Sequence, residues 1–485
     1  MHETSEMKLV WLPIVIILIT PAIVKAQSSP AQIRAIEPCA CPVAIDSSFK
    51  TQCAYLIVPE NRTKNNGKTI KLPFIVVKSK NPNKKNDPLL FTTGGPGGSS
   101  LRWARGAAGR AIINDRDCIA FEQRGTWFAQ PRLEGDELSD AIKQAYRMNL
   151  NKDSMMVEGT KRYYKALLDK GIDLSGYNTD ESVADIDDLL ATLHIDSVNL
   201  TGGSYSGGLM LAVLQKDPSR VRSLVLDSPL PTFVPIDEDE PANLNEALHV
   251  LFQRVEQDST DKTLYANLEE RFKQYFSSIG GKTFSIRYLE KGTTDTLTIE
   301  YTRNDLLDII DNSFGRMKDL PAMITKMIAG DHTQLIKERL DGIFRGTDGP
   351  SGMRLSVYCA DQTAYHHEAV LNEVANAYPY MAGYHINDVY KALCDCWQVP
   401  PIKKETKQPF YSDKPILLAD GEMDYACRPG YIDRIHHYMP NSIRLLYTNG
   451  AHMVMSGNDW DSFVREFINN PYGKIETGRK DVVVY

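Results

Sequence analysis

The chain has 485 residues, of which 42% are hydrophobic and 24% charged, a composition typical of a globular protein with one or two cores. Its formal net charge of −7 and the absence of a Lys/Arg-rich stripe argue against a nucleic-acid partner. The charge balance is only mildly acidic, so it does not indicate a class of substrate.

The N-terminus has the pattern of an export signal. Lys8 precedes an apolar run over residues 9–24, and a small-x-small site ending at Ala26 predicts a signal peptide over residues 1–26. The run is shorter than the roughly 20 residues that a membrane span requires, although an uncleaved anchor is the competing interpretation. No later segment is apolar enough to span a bilayer. We therefore expect a secreted or periplasmic protein without stable membrane insertion after cleavage.

Beyond residue 50, short β-rich runs alternate with helical patterns, which predicts an α/β fold with a mostly parallel sheet. The predicted strands, in chain order, are residues 53–58, 70–78, 88–91, 118–121, 198–200, 221–226, 415–419 and 443–447. Helices are predicted from a cap at Asn178 or Thr179 and over residues 209–214.

The pattern changes near Pro229, after which helical periodicity dominates to about residue 400. This predicts a core in two parts, residues 27–235 and 405–485, separated by a mostly helical cap over residues 236–404.

A glycine-rich segment over residues 202–208 lies between a predicted strand and a predicted helix. Such a turn holds a serine in a strained conformation and exposes its hydroxyl, which predicts Ser204 as a nucleophile. The usual pattern is G-x-S-x-G, and this chain has Ser206 in place of the final glycine. Ser206 is therefore a rival nucleophile, and a glycine-rich turn without chemistry is the plainer interpretation.

A serine nucleophile needs a histidine base that is oriented by a carboxylate. In the α/β-hydrolase order both follow the serine, and here Asp424 and His452 each come just after a late predicted strand. Three such residues at the ends of three strands predict a Ser204–Asp424–His452 triad. Asp420 and Glu422 are rival acids, but Asp424 lies farther beyond its strand, where a carboxylate can reach the histidine.

The Gly-Gly-Pro-Gly block at residues 94–97 follows an early predicted strand and offers N–H groups to a ligand. An oxyanion hole needs two such donors, and we predict the N–H groups of Gly95 and of Tyr205, the residue after the nucleophile. A tight turn without a catalytic role is the alternative.

Eight cysteines in an exported chain predict disulfide bonds. Neither C-x-C pair has a second pair at zinc spacing, so we expect no metal, and nothing in the sequence indicates a cofactor. Pairing stays open at this point, although Cys39 or Cys41 with Cys53 would close a short loop.

Five blocks together resemble the prolyl and tripeptidyl aminopeptidases, secreted or cytosolic serine peptidases with the α/β-hydrolase fold. They are Gly-Gly-Pro-Gly at 94–97, Gln-Arg-Gly at 123–125, Gly-Gly-Ser-Tyr at 202–205, Gly-x-x-Asp at 421–424 and Ala-His at 451–452. The resemblance runs from about residue 53 to 467, and it implies a disulfide between Cys359 and Cys394. The chain departs from the family pattern at Thr93, where the family often has histidine, at Glu122, where it usually has aspartate, and at Ser206. It also lacks a cysteine pair near Val255.

The resemblance implies an exported serine aminopeptidase that releases short N-terminal units, of the proline or tripeptide type, from a peptide with a free N-terminus. Binding that amine calls for a buried carboxylate near the cap, for which Glu122 and Asp361 are candidates, although a structural role fits each equally well. Two alternatives remain open: an esterase or other non-peptide hydrolase with the same triad, and a non-catalytic binding protein.

Overall fold

The computed structural model of the chain describes residues 35–64, 66–107, 109–259, 261–347 and 349–485. The predicted signal peptide at residues 1–26 lies outside them. Over the described ranges, none of the helices combines the length and apolar character that crossing a bilayer requires.

A ten-stranded sheet runs through the core in the order β1-β2-β3-β5-β4-β6-β7-β10-β11-β12. Its strands are β1 (Ala35–Pro38), β2 (Thr51–Pro59), β3 (Thr69–Val77), β4 (Leu89–Phe91), β5 (Cys118–Phe121), β6 (Val198–Gly203), β7 (Val221–Asp227), β10 (Ile416–Gly421), β11 (Ser442–Tyr447) and β12 (Val482–Val484). Neighbouring strands from β5 across to β11 are parallel, and the outer pairs are antiparallel. The chain therefore has the predicted α/β-hydrolase architecture.

The central strands are apolar on both faces because helices cover both sides of the sheet. Along β7, Leu224 and Leu226 pack in one core, whereas Val225 between them packs in the core on the opposite face. The helices outside the long insertion are α1 (Ala104–Ala107), α2 (Glu137–Met148), α3 (Lys152–Asp169), α4 (Thr179–Thr192), α5 (Tyr205–Lys216), α15 (Gly430–Tyr438), α16 (Gly457–Asp459) and α17 (Arg465–Asn469).

Helix α5 begins at Tyr205, earlier than the predicted residues 209–214. Glycines are poor helix formers, which is why the sequence places the start later. In the structure they allow close packing instead: a Cβ on Gly208 would overlap the carbonyl oxygen of Leu230, and one on Gly207 would lie 2.6 Å from Cβ of Pro229. The segment after β7 thus packs directly on the first turn of α5.

Between β7 and β10 the chain forms a mostly helical insertion with its own apolar core. Its helices are α6 (Ile236–Gln257), α7 (Asp261–Leu264), α8 (Leu268–Ser278), α9 (Arg303–Asp311), α10 (Leu320–Ile328), α11 (Thr333–Arg345), α12 (Ser351–Tyr358), α13 (Glu368–Ala377) and α14 (Lys391–Cys394). This core includes Met423 and is contacted by Tyr425, so the insertion packs against the loop that carries Asp424.

The insertion also contains an antiparallel hairpin, β8 (Thr283–Leu289) and β9 (Thr296–Thr302), which is separate from the main sheet. The sequence predicts a mostly helical segment here, and the two strands of this hairpin are not among the predicted strands. The signal was present, since Phe284, Ile286 and Tyr288 alternate with polar residues at the period of a strand.

Two disulfide bonds occur in the described chain. One joins Cys41 to Cys53, which resolves the choice between Cys39 and Cys41. The other joins Cys359 to Cys394, as the family resemblance implies, and links the end of α12 to α14.

Candidate active site

Ser204 occupies a sharp turn between β6 and α5. Its backbone has φ 55° and ψ −131°, a region that non-glycine residues rarely adopt. The turn is stabilised because the Ser204 N–H donates to the carbonyl oxygens of Asp227 and Ser228, each at 3.0 Å. Its side chain therefore sits at the N-terminus of α5, where the helix dipole favours negative charge.

Two neighbouring loops approach Ser204 closely. A Cβ on Gly94 would lie 2.5 Å from the carbonyl oxygen of Gly203 and 2.9 Å from Cβ of Ser204, so only glycine fits there. A Cβ on Gly203 would lie 2.5 Å from Cε of Met453. The Gly-Gly-Pro-Gly loop and the loop that follows His452 thus both pack against the turn.

Ser206, the rival nucleophile, faces away from this site. Its side chain is fully buried and donates to the carbonyl oxygen of Thr92 at 2.8 Å, with a second hydrogen bond to Thr92 Oγ1 at 2.5 Å. The hydroxyl therefore ties α5 to the end of β4. This explains why the chain tolerates serine where the usual motif has glycine.

Asp424 and His452 lie in hydrogen-bond contact. His452 Nδ1 lies 2.8 Å from Asp424 Oδ2, while Asp424 Oδ1 accepts from the N–H groups of Ala426 at 2.8 Å and Cys427 at 2.7 Å. The carboxylate is buried, so both of its oxygens are fixed. With Nδ1–H donating to Asp424, His452 presents Nε2 as a proton acceptor.

The surroundings of His452 favour its protonated form. Burial opposes protonation, but the charge and hydrogen bond of Asp424 raise the pKa of the imidazole above its usual value, and the charge of Asp227 adds to this. A base with a raised pKa readily holds the proton that it takes from a hydroxyl.

Asp227 and Ser228, at the end of β7, connect the Ser204 turn to the His452 loop. Besides accepting the Ser204 N–H through their carbonyl oxygens, their side chains accept from the loop. Met453 N donates to Ser228 Oγ at 2.9 Å, and the N–H groups of Val454 and Met455 donate to Asp227 at 2.9 and 3.0 Å. Burial raises the pKa of the Asp227 carboxyl to about 6.

Asp420 and Glu422, the two rival acids, form contacts that differ from those of Asp424. Asp420 is fully buried and accepts the Gly421 N–H at 2.8 Å, and burial together with the charge of Asp424 raises its pKa well above the usual range. Glu422 forms an ion pair with Arg254 of α6. Of the three acids, it is Asp424 that hydrogen-bonds to His452.

The two predicted oxyanion donors lie on facing segments. A Cβ on Gly94 would be 3.4 Å from the Tyr205 N–H nitrogen, so the Gly94–Gly95 backbone faces the start of α5. Within the described chain the Gly95 N–H has no acceptor, and the Tyr205 N–H is in the first helical position, where no intrahelical acceptor exists. Arg354 of α12 holds the loop through a hydrogen bond of 2.5 Å to the Gly95 carbonyl oxygen.

Both predicted amine-binding carboxylates are buried. Glu122 is fully buried and accepts hydrogen bonds from Leu101 N at 3.0 Å, Thr126 Oγ1 at 3.0 Å and Phe128 N at 3.3 Å. It therefore anchors the segment that follows the Gly-Gly-Pro-Gly loop.

Asp361 lies behind α5, hydrogen-bonded to Thr179, whose hydroxyl lies 2.8 Å from the Tyr205 phenol. The adjoining cavity has a volume of about 10 Å³ and is also lined by Lys407. That volume suits at most one water molecule. Asp361 Oδ1 is buried and has no hydrogen-bond partner within the described chain. The assignment of Glu122 and Asp361 to the substrate amine stays a prediction, and a structural role also fits the hydrogen bonds of both.

Sequence comparisons match two parts of the chain to family models. Residues 87–255 match the α/β-hydrolase fold, and residues 378–476 match the TAP-like protein family. The chain has the α/β-hydrolase fold, and its C-terminal part is similar to the TAP-like protein family. The resemblance to the prolyl and tripeptidyl aminopeptidases is confirmed at the level of this family.

Tripeptidyl aminopeptidases of Streptomyces lividans and Streptomyces coelicolor are each 26% identical to this chain over 187 residues. The match spans 36% of the chain and 35% of each relative. Among solved structures, a serine hydrolase from Cycloclasticus zankles is 13% identical, with a TM-score of 0.34 and coverage of 87% of this chain and 97% of that one. An α/β-hydrolase fold protein from Chitinophaga pinensis is also 13% identical, with a TM-score of 0.34 over 88% and 98% of the two chains.

Three residues around this site were not predicted from the sequence: Asp227, Ser228 and Arg354. For the first two a signal existed, because an Asp-Ser pair directly after a buried strand lies at the same sheet edge as the nucleophile. Arg354 gives no such signal, since only the packing of α12 brings it to Gly95.

Proposed function

We propose that this protein is an exported serine aminopeptidase that releases short N-terminal units through an acyl-enzyme. Two observations support this most strongly: the His452–Asp424 hydrogen bond and the strained Ser204 at a helix N-terminus. Asp227 and Ser228 connect the Ser204 turn to the loop that follows His452. The similarity to tripeptidyl aminopeptidases favours a peptide substrate. The disulfide bonds favour an oxidising compartment and hence export.

In the proposed reaction His452 Nε2 takes the Ser204 proton as the serine oxygen attacks the scissile carbonyl carbon. The carbonyl oxygen becomes an oxyanion that accepts from the Gly95 and Tyr205 N–H groups. His452 then donates its proton to the leaving amine, and water hydrolyses the ester to Ser204 by the same steps. Asp424 stabilises the imidazolium throughout and stays ionised.

We also propose that the insertion, predicted at residues 236–404, acts as a cap on this site between core segments 27–235 and 405–485. Two contacts support this role: Arg354 reaches the Gly95 carbonyl oxygen, and Tyr425, next to Asp424, stacks on Phe314 with ring centroids 4.7 Å apart.

Labelling with a fluorophosphonate tests the nucleophile. The wild type and Ser206→Ala should both form a covalent adduct, whereas Ser204→Ala should not. Ser206→Ala is the matched control because it removes a hydroxyl two residues away that faces Thr92. An adduct that persists in Ser204→Ala would refute the assignment.

A substrate panel tests the reaction class. It would contain Pro-, Ala- and Ala-Ala-Ala-p-nitroanilides, their N-acetylated forms and p-nitrophenyl acetate. Cleavage of the unblocked amides that is lost in Ser204→Ala supports the aminopeptidase. Turnover of the ester alone would identify an esterase instead, and no turnover of any compound would favour a non-catalytic binding protein.

A further inference from the structure

The small cavity beside Asp361 brings together polar side chains from separate parts of the chain. Its lining includes Thr179 of α4, Tyr205 of α5, Thr232 after β7, Asp361 after α12 and Lys407 before β10. Its volume of about 10 Å³ is close to the smallest that holds a water molecule. The cavity therefore has room for one water molecule and for nothing larger.

Three atoms of this lining are buried without a hydrogen bond. Within the described chain, Asp361 Oδ1, Lys407 Nζ and Thr232 Oγ1 have no hydrogen-bond partner. Asp361 and Thr232 are 5% and 9% exposed, so bulk water does not supply the missing partner. A buried polar atom without a partner destabilises the folded state, so three such atoms in one cavity indicate a shared partner.

The three atoms are chemically complementary to a water molecule. The Asp361 carboxylate accepts hydrogen bonds, the Lys407 ammonium group donates them, and the Thr232 hydroxyl does either. One water molecule has donors for Asp361 and lone pairs for Lys407, and it keeps a further position for Thr232. About three hydrogen bonds is also the usual number for a buried water.

The charges in the cavity favour a bridging group. Burial raises the pKa of Asp361 and lowers that of Lys407, whereas the charges of Asp361 and Asp237 act to raise the pKa of Lys407. Asp237 is held from another side, since its Oδ2 contacts His366 Nδ1 and accepts from Thr363 Oγ1, both at 3.1 Å. A water between Asp361 and Lys407 stabilises both charged forms, because it accepts from one group and donates to the other.

The second carboxylate oxygen of Asp361 connects the cavity to Tyr205. Thr179 Oγ1 donates to Asp361 Oδ2, and the same hydroxyl lies 2.8 Å from the Tyr205 phenol. Because Thr179 uses its only proton for Asp361, it accepts from Tyr205. Burial raises the pKa of the phenol, so Tyr205 keeps the proton that it donates. These three residues, with Lys407 and Thr232 across the cavity, form what we call the Tyr205 network.

The segment that carries Lys407 is itself held in place. Asp180 of α4 accepts from Lys403 N at 2.9 Å and from Thr406 Oγ1 at 2.6 Å. These two bonds tie the residues just before Lys407 to the start of the helix that also carries Thr179. The ammonium group of Lys407 is therefore directed to the cavity by its own backbone.

Tyr205 connects the network to the proposed reaction. Its N–H is one of the two predicted oxyanion donors, and its phenol is the first donor of the network. Tyr205 directly follows Ser204, so a shift of the Tyr205 ring displaces the N–H beside the nucleophile. A donor that is displaced by about 1 Å loses much of its effect on the transition state.

We propose that one water molecule binds between Asp361, Lys407 and Thr232, and that the network completed by this water positions Tyr205 to bind the oxyanion. This proposal rests on the proposed acyl-enzyme reaction. It makes Asp361 a positioning residue, in contrast to its predicted contact with the substrate amine. A positioning residue affects every substrate that uses the oxyanion donors, whether or not the substrate carries an amine.

The first test is a crystal structure of the wild type at a resolution that shows ordered water. We expect one water molecule within hydrogen-bond distance of Asp361 Oδ1, Lys407 Nζ and Thr232 Oγ1. Thr232→Val keeps the shape of the side chain and removes one of these bonds, so the water should be less well ordered in that variant. A cavity without water, or a direct ion pair between Asp361 and Lys407, would overturn the binding site.

The second test measures kcat and KM for Tyr205→Phe and Thr179→Val. Each change removes one hydroxyl from the network and leaves the Tyr205 N–H in place. Oxyanion binding occurs only in the transition state, so kcat should fall by about 3- to 10-fold while KM stays within about twofold of the wild type. The double variant should be no slower than either single variant, because both act through one network. Thr179→Ser, which keeps the hydroxyl, should retain the wild-type kcat.

Thr192→Val is the matched control for Thr179→Val. Thr192 is the last residue of the same helix, and its hydroxyl donates to the Asp188 carbonyl oxygen. Its kcat should stay within about twofold of the wild type. Should the wild type turn over neither amides nor esters, the proposed function fails. Should the wild type be active while Tyr205→Phe and Thr179→Val keep its kcat, only the positioning role is overturned.

Asp361→Asn separates positioning from amine binding. A fluorophosphonate carries no ammonium group, but its phosphoryl oxygen uses the same oxyanion donors as a substrate carbonyl. In Asp361→Asn the rate of labelling should therefore fall in the same proportion as kcat/KM for Ala-Ala-Ala-p-nitroanilide. A loss confined to the peptide substrate would assign Asp361 to the amine and overturn the positioning role. Should Asp361→Asn fail to fold, Tyr205→Phe gives the same comparison without a change of charge.

Discussion

Replacing Asp227 by asparagine should lower the catalytic rate much more than it changes the free energy of unfolding. The change keeps the shape of the side chain but removes the charge that accepts the Val454 and Met455 N–H groups. Asparagine can accept from one of them through its oxygen, and its NH₂ group would face the other. The loop that follows His452 therefore loses one of the two hydrogen bonds that hold it to Asp227.

The effect on stability can be worked out from the pKa of Asp227. Burial raises this pKa from 3.8 to about 6, so the folded state favours the protonated carboxyl. The contribution of the protonated Asp227 carboxyl to the stability of the folded state is fully present below pH 3.8 and is lost as the pH rises through about 6. At pH 7.5 the buried charge therefore costs about 3 kcal/mol, using 1.36 kcal/mol for each pKa unit. Asparagine removes that cost but leaves one N–H unpaired, which costs about 1–3 kcal/mol. At pH 7.5 the free energy of unfolding of Asp227→Asn should consequently lie within about 2 kcal/mol of the wild-type value.

The effect on activity should be larger. A displacement of the His452 loop by about 1 Å costs on the order of 100-fold in rate, so we expect kcat to fall by about 10- to 100-fold with KM little changed. The charge of Asp227 also contributes to the raised pKa of His452. Because His452 must be neutral to act as a base, the acid limb of the kcat/KM profile should move to lower pH in the variant.

The measurement is kcat/KM from pH 5 to 9, combined with urea unfolding at pH 7.5. Asp433→Asn serves as the control, since Asp433 is an exposed carboxylate paired with Arg444 on the surface. A variant with kcat within twofold of the wild type and an unmoved acid limb would refute the positioning role. A loss of kcat without a pH shift would show that Asp227 acts through packing alone.

Three further predictions follow from other contacts. Asp424→Asn should lower kcat by about 10⁴-fold, measured by steady-state kinetics, because the amide no longer holds the imidazole in the required tautomer. Ser206→Ala should lower the free energy of unfolding by about 1–2 kcal/mol, measured in urea, through loss of its bonds to Thr92, and should keep catalytic activity. Replacing Cys359 and Cys394 together by serine should lower the free energy of unfolding by about 4 kcal/mol, the value expected for the 35-residue separation that the disulfide closes. Full stability of that double variant would show that the disulfide contributes nothing.

Many strands of the core can be predicted from the sequence, because the pattern of apolar residues that specifies a strand is local in the chain. A strand such as β5 (Cys118–Phe121) is a buried apolar run, and its bounds agree with the prediction. The order of Ser204, Asp424 and His452 at strand ends is likewise a property of the chain, since parallel strands place their carboxyl ends at one edge. The sequence alone therefore indicates both the fold class and the candidate triad.

Other features depend on contacts between elements far apart in the chain. Asp420, near the end of β10, and Asp424, in the turn that follows, are both buried acids, and only the packing of the loop after β11 determines that Asp424 contacts His452. The surroundings of Glu122 and Asp361 likewise depend on such contacts, because their hydrogen-bond partners Leu101 and Thr179 come from other parts of the chain.

The contact between Arg354 of α12 and the Gly95 carbonyl oxygen is another example, because no spacing in the sequence connects these two residues. Local patterning specifies strands and turns because neighbouring residues share one backbone conformation. Which side chains are left without partners in a cavity is decided only when the elements pack, because each partner comes from a different part of the chain.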